Sequence, residues 1–332
     1  MLSLIVPVYR NEGSLDRLLT ELLKLQETLA GALEVIFVVD GSPDRSVEHL
    51  RERLPGLPLR AQLIALSRNF GAFNAVLAGL HAGTGQYFAV LAADLQEPPS
   101  LIVRFHEILT SGSADVVLGS RATRADPWLS QATSRLFWFL YRTFVVADVP
   151  SGGVDVFACS RQVRNVLIGF RETNTNLVAL LLWTGFRRQY VAYDRAPRLN
   201  GKSAWTLAKR IQYSFDSIFN FTDLPIRLLL LCGAAGSLLA IVLGILVALA
   251  KLRGEVPIPG YTITMLAVLF FGGLATLGLG IIGQYAWLVL QNVRQRPNYV
   301  IASTERFAAD GTTAADDGRN ARDDRGALVS RQ

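Results

Sequence analysis

Residues 87–99 read Tyr-Phe-Ala-Val-Leu-Ala-Ala-Asp-Leu-Gln-Glu-Pro-Pro: an apolar run that ends in one carboxylate, Asp94, with an amide two residues on, Gln96, and then two prolines. Tyr87 to Leu91 are β-formers or apolar, which predicts a buried parallel strand, and Pro98-Pro99 forbids its simple continuation. Asp94 therefore stands where a central strand leaves its sheet. In open α/β sheets ligands bind outside the carboxyl ends of the strands. Hard oxygen donors such as Asp94 and Gln96 suit Mg²⁺ or Mn²⁺, above all when a diphosphate completes the shell. An aspartate here could equally cap the helix that follows, Ser100-Leu101-Ile102-Val103-Arg104-Phe105-His106-Glu107-Ile108-Leu109. The stretch alone leaves both readings open.

Outward from it, strand and helix patterns alternate across the first two hundred residues. SLIVPVY, EVIFVVD, LRAQLIALS, YFAVLAA and DVVLGSR have strand character, and SLDRLLTELLKLQETLA, SVEHLRERL, FNAVLAGLHAG and LIVRFHEIL carry apolar residues at helical spacing. Such a rhythm predicts a mainly parallel, Rossmann-like sheet covered by helices on both faces; the strand order is not legible. After Arg121 the pattern loosens into TSRLFWFLYRTFV, the glycine turn and short strand of SGGVDVFACSR, and NTNLVALLLWTGF.

For a chain of 332 residues, 51% hydrophobic content and a mean hydropathy of +0.31 exceed what one soluble α/β domain needs. The excess lies late in the chain. Leu228–Ala250 is charge-free, long enough at about 1.5 Å per residue to cross the roughly 30 Å hydrocarbon core. A second charge-free run extends over Val256–Val293. Two transmembrane helices within 226–293 are expected, joined by a short Pro/Gly turn. Arg187, Arg188, Arg195, Arg198, Lys202, Lys209, Arg210 and Arg227 precede them, Arg294 and Arg296 follow, and only Lys251 and Arg253 lie between. That bias puts the α/β domain and both termini on the cytoplasmic side of a multi-pass protein of the cytoplasmic (inner) membrane. Residues 201–225 alternate Lys/Arg with aromatics at helical spacing, as in a helix lying in the interface plane. The tail, 303–332, has few large apolar residues and is expected to be disordered. No signal peptide is expected ahead of a chain that opens into a strand. Cys159 and Cys232 are expected to be inert core thiols. The net charge of +6 sits near the spans, so anionic lipid is the expected partner and nucleic acid is not.

Three strand ends would converge on one crevice of this sheet: Pro7-Val8-Tyr9-Arg10-Asn11-Glu12, Val39-Asp40-Gly41-Ser42-Pro43-Asp44, and Asp94-Leu95-Gln96. An aromatic ring with an acceptor at Asp40 is what a nucleobase bearing an imide N–H requires, although Asp40 alone could equally serve a DGS turn.

The set IVPVYRNE, VVDGSPD, LSRNFG, ADLQEPP and GSR with two C-terminal spans resembles the polyisoprenyl-phosphate glycosyltransferases of glycosyltransferase family 2, the group of dolichol-phosphate mannose synthases and bactoprenol glucosyltransferases, over about residues 1–300. The resemblance implies an α/β GT-A domain over 1–200 and transfer, with inversion, of a sugar from a nucleoside-diphosphate donor, UDP favoured, to undecaprenyl or another polyprenyl phosphate. It implies a Mg²⁺ or Mn²⁺ cofactor held by Asp94 and Gln96. It further implies nucleotide contacts from Pro7, Tyr9, Glu12, Val38, Asp40, Arg68 and Ala93, and phosphate contacts from Arg121, Arg135, Arg198 and Lys202. Asp155 would be a base or sugar contact, making Asp94, Asp155 and Arg121 the catalytic set. The sequence departs from the family at Ala92, where relatives often place a further Asp; at Val39, where many carry an acid; after the glycine turn, which reads GVDVFACSR; and at Ala204, where Lys is common. Assembly into a homo-oligomer through the spans is expected. A diacylglycerol or ceramide acceptor, or a nucleotide-binding membrane scaffold, would keep the donor half of these motifs and change the rest.

Overall fold

The computed structural model describes residues 1–121, 154–170, 177–194, 224–253, 260–308 and 313–315. The chain divides into two compact units: Met1–Arg142 with Val146–Thr206 and Arg296–Gln332, and Thr143–Val145 with Leu207–Gln295.

In the first unit the alternation is realised as β1 (Leu2–Val8), α1 (Leu15–Thr28), β2 (Leu33–Val39), α2 (Ser46–Arg53), β3 (Ala61–Leu66), α3 (Ala72–Ala82), β4 (Tyr87–Val90), α4 (Ser100–Thr110) and β5 (Val116–Arg121). There follow β6 (Val154–Ser160), α5 (Arg161–Gly169), α6 (Leu177–Trp183) and β7 (Arg188–Tyr193), and, after the second unit, β8 (Ile301–Phe307) and β9 (Thr313–Ala315). Among the described residues these strands form one sheet of order β7-β5-β6-β4-β1-β2-β3-β8-β9. β4, β1, β2 and β3 are parallel, whereas β6 runs antiparallel between β4 and β5, and β8 antiparallel beside β3. The sheet is thus parallel at its centre and mixed at its flanks. The chain steps outward from β1 to β3 and then returns to the other side of β1 with β4, so the topological switch point lies between β1 and β4.

The leucines of α1 recur at helical spacing, and Leu15, Leu18, Leu19, Leu22 and Leu25 are all buried. Each contributes about 2 kcal/mol by leaving water. They join Leu4, Val6, Val35 and Phe37 in one core cluster.

At the amino-terminal edge of the sheet, Glu34 is 1% exposed. Its carboxylate accepts from the Ser3 hydroxyl (2.7 Å), Gln62 Nε2 (3.0 Å) and the Thr84 amide (2.9 Å). Burial pushes this carboxyl up, but the Thr84, Ser3 and Gln62 hydrogen bonds outweigh it and hold the group below its ordinary value. A lowered folded pKa means the stabilisation is complete above the unfolded value of 4.5 and is lost as pH falls through the folded one. Glu34→Ala, which strands these donors, is expected to cost about 3 kcal/mol and to remove that acid-side dependence. Urea unfolding of wild type and variant at several pH values checks this; a loss below about 1 kcal/mol would show the network to be dispensable.

Two differences from the sequence reading concern the ends of the sheet. The tail expected to be structureless from residue 303 is ordered through Phe307, the end of β8, which pairs with β3 from Ala61↔Phe307 to Leu66↔Ile301. Its order comes from the backbone ladder, from buried Phe307 and from the Arg51–Glu305 ion pair, none of which a low apolar content reveals. β7 was likewise not expected; only Val191 and Tyr193 of its six residues are buried, and Arg187, just before it, is tied to Asp115 at 2.9 and 3.0 Å.

The second unit contains α7 (Leu224–Leu252, 29 residues) and α8 (Tyr261–Arg294, 34 residues). They pack antiparallel: a Cβ at Gly236 would lie 3.1 Å from Phe271, and one at Gly278 would lie 3.3 Å from Leu229. Small residues at both crossings let the helices approach closely. Among the described residues one segment, Phe270–Arg294, is long and apolar enough to cross a membrane. Cys159 is buried in β6, its thiol pushed up to about 12 by burial and so inert. Cys232 is exposed on α7, so the core-thiol expectation holds for Cys159 alone.

Candidate active site

β1 pairs with β2 over its full length but with β4 only from Leu2↔Tyr87 to Ile5↔Val90, and the Ile5 carbonyl accepts the last bond from Leu91 N–H. The end of β1 therefore runs past the last rung of its ladder with β4, at the switch point. Pro7 fits there because Val8 bonds toward β2, through Asp40 N–H, and Ile5 toward β4. Alternation turns the nitrogen of Pro7 to the β4 side, beyond the end of that ladder, where no hydrogen bond is lost. Val38, level with Pro7, and Ala93 are buried, so each can offer a ligand little beyond its backbone.

Asp40 follows β2 and is 3% exposed. Its two carboxylate oxygens accept from the amides of Phe70 (2.7 Å) and Gly71 (2.9 Å), at the start of α3. Burial raises this carboxyl above its ordinary value, with the two amides and the Arg68 charge offsetting only part. A carboxylate has about four lone-pair sites, so both oxygens retain capacity for a further donor. The Arg68 guanidinium lies 4.0 Å from the centre of the Phe70 ring.

The loops after β1 and β2 are cross-tied. Glu12 N–H donates to Asp44 Oδ2 (3.1 Å), Arg45 N–H to Glu12 Oε2 (3.0 Å) and Arg10 N–H to Ser42 Oγ (2.7 Å). Asp44 also accepts from the Ser42 and Ser46 hydroxyls; burial acts to raise it, and these bonds hold it below its ordinary value. Glu12 thus shapes the loop pair. Asp44 is named in the sequence only as part of the second strand end; its role as the acceptor that ties the two loops together is disclosed by the structure. Tyr9 is half-buried at the mouth, its N–H donating to Asn11 Oδ1 (3.0 Å).

Asp94 is half-buried beyond β4, in a turn with Leu95 at φ 51°, and its Oδ1 accepts Gln96 N–H at 3.4 Å. It does not cap α4: the residue at that position is Pro99, with no side-chain cap. The competing reading of this aspartate is thereby removed. Gln96 is 8% exposed and Glu97, a second carboxylate not singled out in the sequence, is 1% exposed. Ser14 Oγ donates to the Ala93 carbonyl (3.1 Å), tying this turn to the start of α1.

Arg121 ends β5, half-buried, opposite Tyr193 of β7. Because β6 is antiparallel and Val154 lies opposite Ser120, the backbone of Asp155 stands at this same end of the sheet. Arg135, Arg198 and Lys202 lie outside the described residues, as does most of the expected interfacial stretch at 201–225.

Among the described residues no three His, Cys, Asp or Glu side chains cluster as a self-sufficient metal site. One carboxylate and one amide oxygen nevertheless fit a hard divalent ion that keeps the rest of its shell on phosphate oxygens and water, as Mg²⁺ commonly does.

Residues 3–181 match the family model described as glycosyl transferase family 2. The chain is similar to an uncharacterized glycosyltransferase of Synechocystis, sll0501, with 31% identity covering 91% of this chain and 94% of the relative. It is also similar to the undecaprenyl-phosphate 4-deoxy-4-formamido-L-arabinose transferase of Edwardsiella ictaluri, with 31% identity covering 92% and 94%. Among solved structures, glucosyl-3-phosphoglycerate synthase from Mycobacterium tuberculosis, in complex with Mn²⁺, UDP-glucose and phosphoglyceric acid, matches 66% of this chain and 77% of its own at 18% identity and a TM-score of 0.47. With its GT-A-like mixed sheet and strand-end motifs, this chain belongs to glycosyltransferase family 2.

Proposed function

We propose that the protein transfers a sugar, with inversion, from a nucleoside-diphosphate sugar, most readily a UDP-sugar, to polyprenyl phosphate at the cytoplasmic face of a membrane. The observation that carries this reading is the meeting of Tyr9, Asp40 and Asp94 at the carboxyl ends of β1, β2 and β4, around the switch point of the sheet. Similarity over nine-tenths of its length to a relative named for undecaprenyl phosphate supports the acceptor.

In the reaction the bond from the anomeric carbon to the nucleoside diphosphate breaks, its electron pair leaving with the diphosphate. A bond from a lipid-phosphate oxygen forms on the opposite face. Asp94 and Gln96 would hold Mg²⁺ or Mn²⁺, which when bound supplies positive charge to the departing diphosphate. Tyr9 stacks on the base, Asp40 accepts its imide N–H, and Arg121 pairs with phosphate. A phosphate monoester has a second pKa near 6, so the acceptor is largely dianionic at neutral pH and needs no strong base. Asp155 accordingly orients the sugar or acceptor.

α7 and α8 form the membrane hairpin. Their close antiparallel packing and outward leucines, isoleucines and phenylalanines support two crossings rather than one. Confinement to the headgroup plane raises the effective concentration of the acceptor at the site. Membranes carrying the protein, given a panel of labelled nucleotide sugars and undecaprenyl phosphate, should yield a phospholipid-linked sugar by mass analysis. Donor hydrolysis without lipid product, or transfer only to diacylglycerol, would overturn the acceptor assignment.

A further inference from the structure

The stretch that follows α8 holds the same loop that holds Asp40. β8 pairs with β3 up to Ala65↔Ser303, skips Ala302 in a bulge, and resumes at Leu66↔Ile301. One step further, Ser67 N–H donates to the Val300 carbonyl at 2.9 Å. The next residues are the loop whose Phe70 and Gly71 amides bind the Asp40 carboxylate. A bulge at such a place re-aims the strand it interrupts.

Two side chains fasten this stretch to the helices before and after β3. Tyr299, 6% exposed, places its hydroxyl 3.1 Å from Nδ1 of His81, on α3, the helix that the loop opens. Glu305 accepts from Arg51 on α2 through both oxygens, at 2.6 to 3.0 Å. A strand added to a sheet needs backbone pairing alone. Here it also carries a buried tyrosine and a bidentate arginine pair, both aimed at the half of the sheet that cradles Asp40. Only Gln295 to Asn298 separate it from the end of α8.

We infer that Tyr299–Glu305 is a positioning segment for the donor nucleotide: it fixes the Ser67–Gly71 loop, and through it Asp40, so that the order of the base pocket depends on the strand that returns from the helical hairpin. The inference rests on the donor reading given above. It does not make these residues catalytic, since none of them lies at the strand ends where the reacting groups would sit.

The test uses the full-length protein in detergent or nanodiscs and UDP as probe. Tyr299→Phe removes one hydroxyl and keeps the ring. Glu305→Gln removes the charge pair, and Arg51→Glu with Glu305→Arg restores it reversed. The combined Tyr299→Phe/Glu305→Gln protein is expected to bind UDP about fivefold more weakly, with the donor KM raised in proportion and the acceptor KM unchanged. Amide exchange at Phe70 and Gly71 should accelerate, and the reversed pair should recover most of the loss. Unchanged UDP affinity and unchanged exchange at those two amides, with only Tm lowered, would reduce the segment to an ordinary strand of the sheet and overturn the inference. If the wild type bound no UDP the donor reading itself would fail; the exchange rates at Phe70 and Gly71 would still decide whether this segment orders the loop.

Discussion

Asp94→Ala is expected to lower sugar transfer by about a thousandfold, the scale seen when a principal electrostatic contact to a developing charge is removed. The leaving nucleoside diphosphate gathers negative charge as its bond to the sugar breaks. With Ala92 in place of a second acid, Asp94 is the one carboxylate of this motif that stands half-open at the β4 end. Its backbone setting is specialised: Leu95 occupies the left-handed region at φ 51°, which a branched side chain adopts only at a cost of about 1 kcal/mol or more. Gln96→Ala should cost less, about tenfold, because an amide ligand can be replaced by water. The Asp155→Asn protein is the internal comparison. If the acceptor dianion needs no base, it retains most of its turnover while Asp94→Ala does not. Initial rates with a radiolabelled donor, over a titration of Mg²⁺ and Mn²⁺, read all three. Full activity of Asp94→Ala in the presence of chelator would sink the metal assignment.

The amino-acid sequence discloses the central strands because each is an apolar run closed by a turn signal, and β1 to β5 stand where those runs predict. It discloses less where order comes from partners far away in the chain. β8 is polar at most positions, and its pairing of Leu66 with Ile301 joins residues that no local pattern connects. β7 has only Val191 and Tyr193 buried, at the edge of the sheet, too short an apolar signal to mark a strand. The site shows the same division. Asp40 and Asp94 were visible as acids at strand ends, yet only the position of Pro99 at the start of α4 excludes the cap for Asp94. Glu12 matches a nucleotide motif, and the structure adds a bond the sequence does not disclose, from the Arg45 amide to its carboxylate. The mainly parallel sheet is a sound inference from βα alternation for β1 to β4, and it fails at β6 and β8, whose antiparallel direction no local pattern of apolar residues encodes.

Gly41→Ala should damage both stability and donor binding, through one contact. Gly41 has φ 55°, so any side chain there meets left-handed strain of about 1 kcal/mol. A Cβ would also overlap the carbonyl carbon of Arg68 and the amide nitrogen of Asn69, and lie 2.6 Å from the Arg68 Cα. These are backbone atoms, which cannot rotate aside as a side chain tip can. The Arg68–Gly71 loop must therefore withdraw, and the Phe70 and Gly71 amides withdraw with it from a carboxylate that is already buried. Losing charge-assisted bonds from such a group costs about 2 kcal/mol beyond the strain. A total near 3 kcal/mol and a rise of at least about tenfold in donor KM are expected, with the acceptor KM unaffected. Gly31→Ala supplies the comparison, since Gly31 shares the left-handed backbone at φ 77° and has nothing within 4 Å of the added carbon. Denaturant midpoints and donor titrations on the two variants separate strain from collision. Should Gly41→Ala cost no more than Gly31→Ala and leave donor KM alone, the close approach of the two loops would not be what holds Asp40 in place.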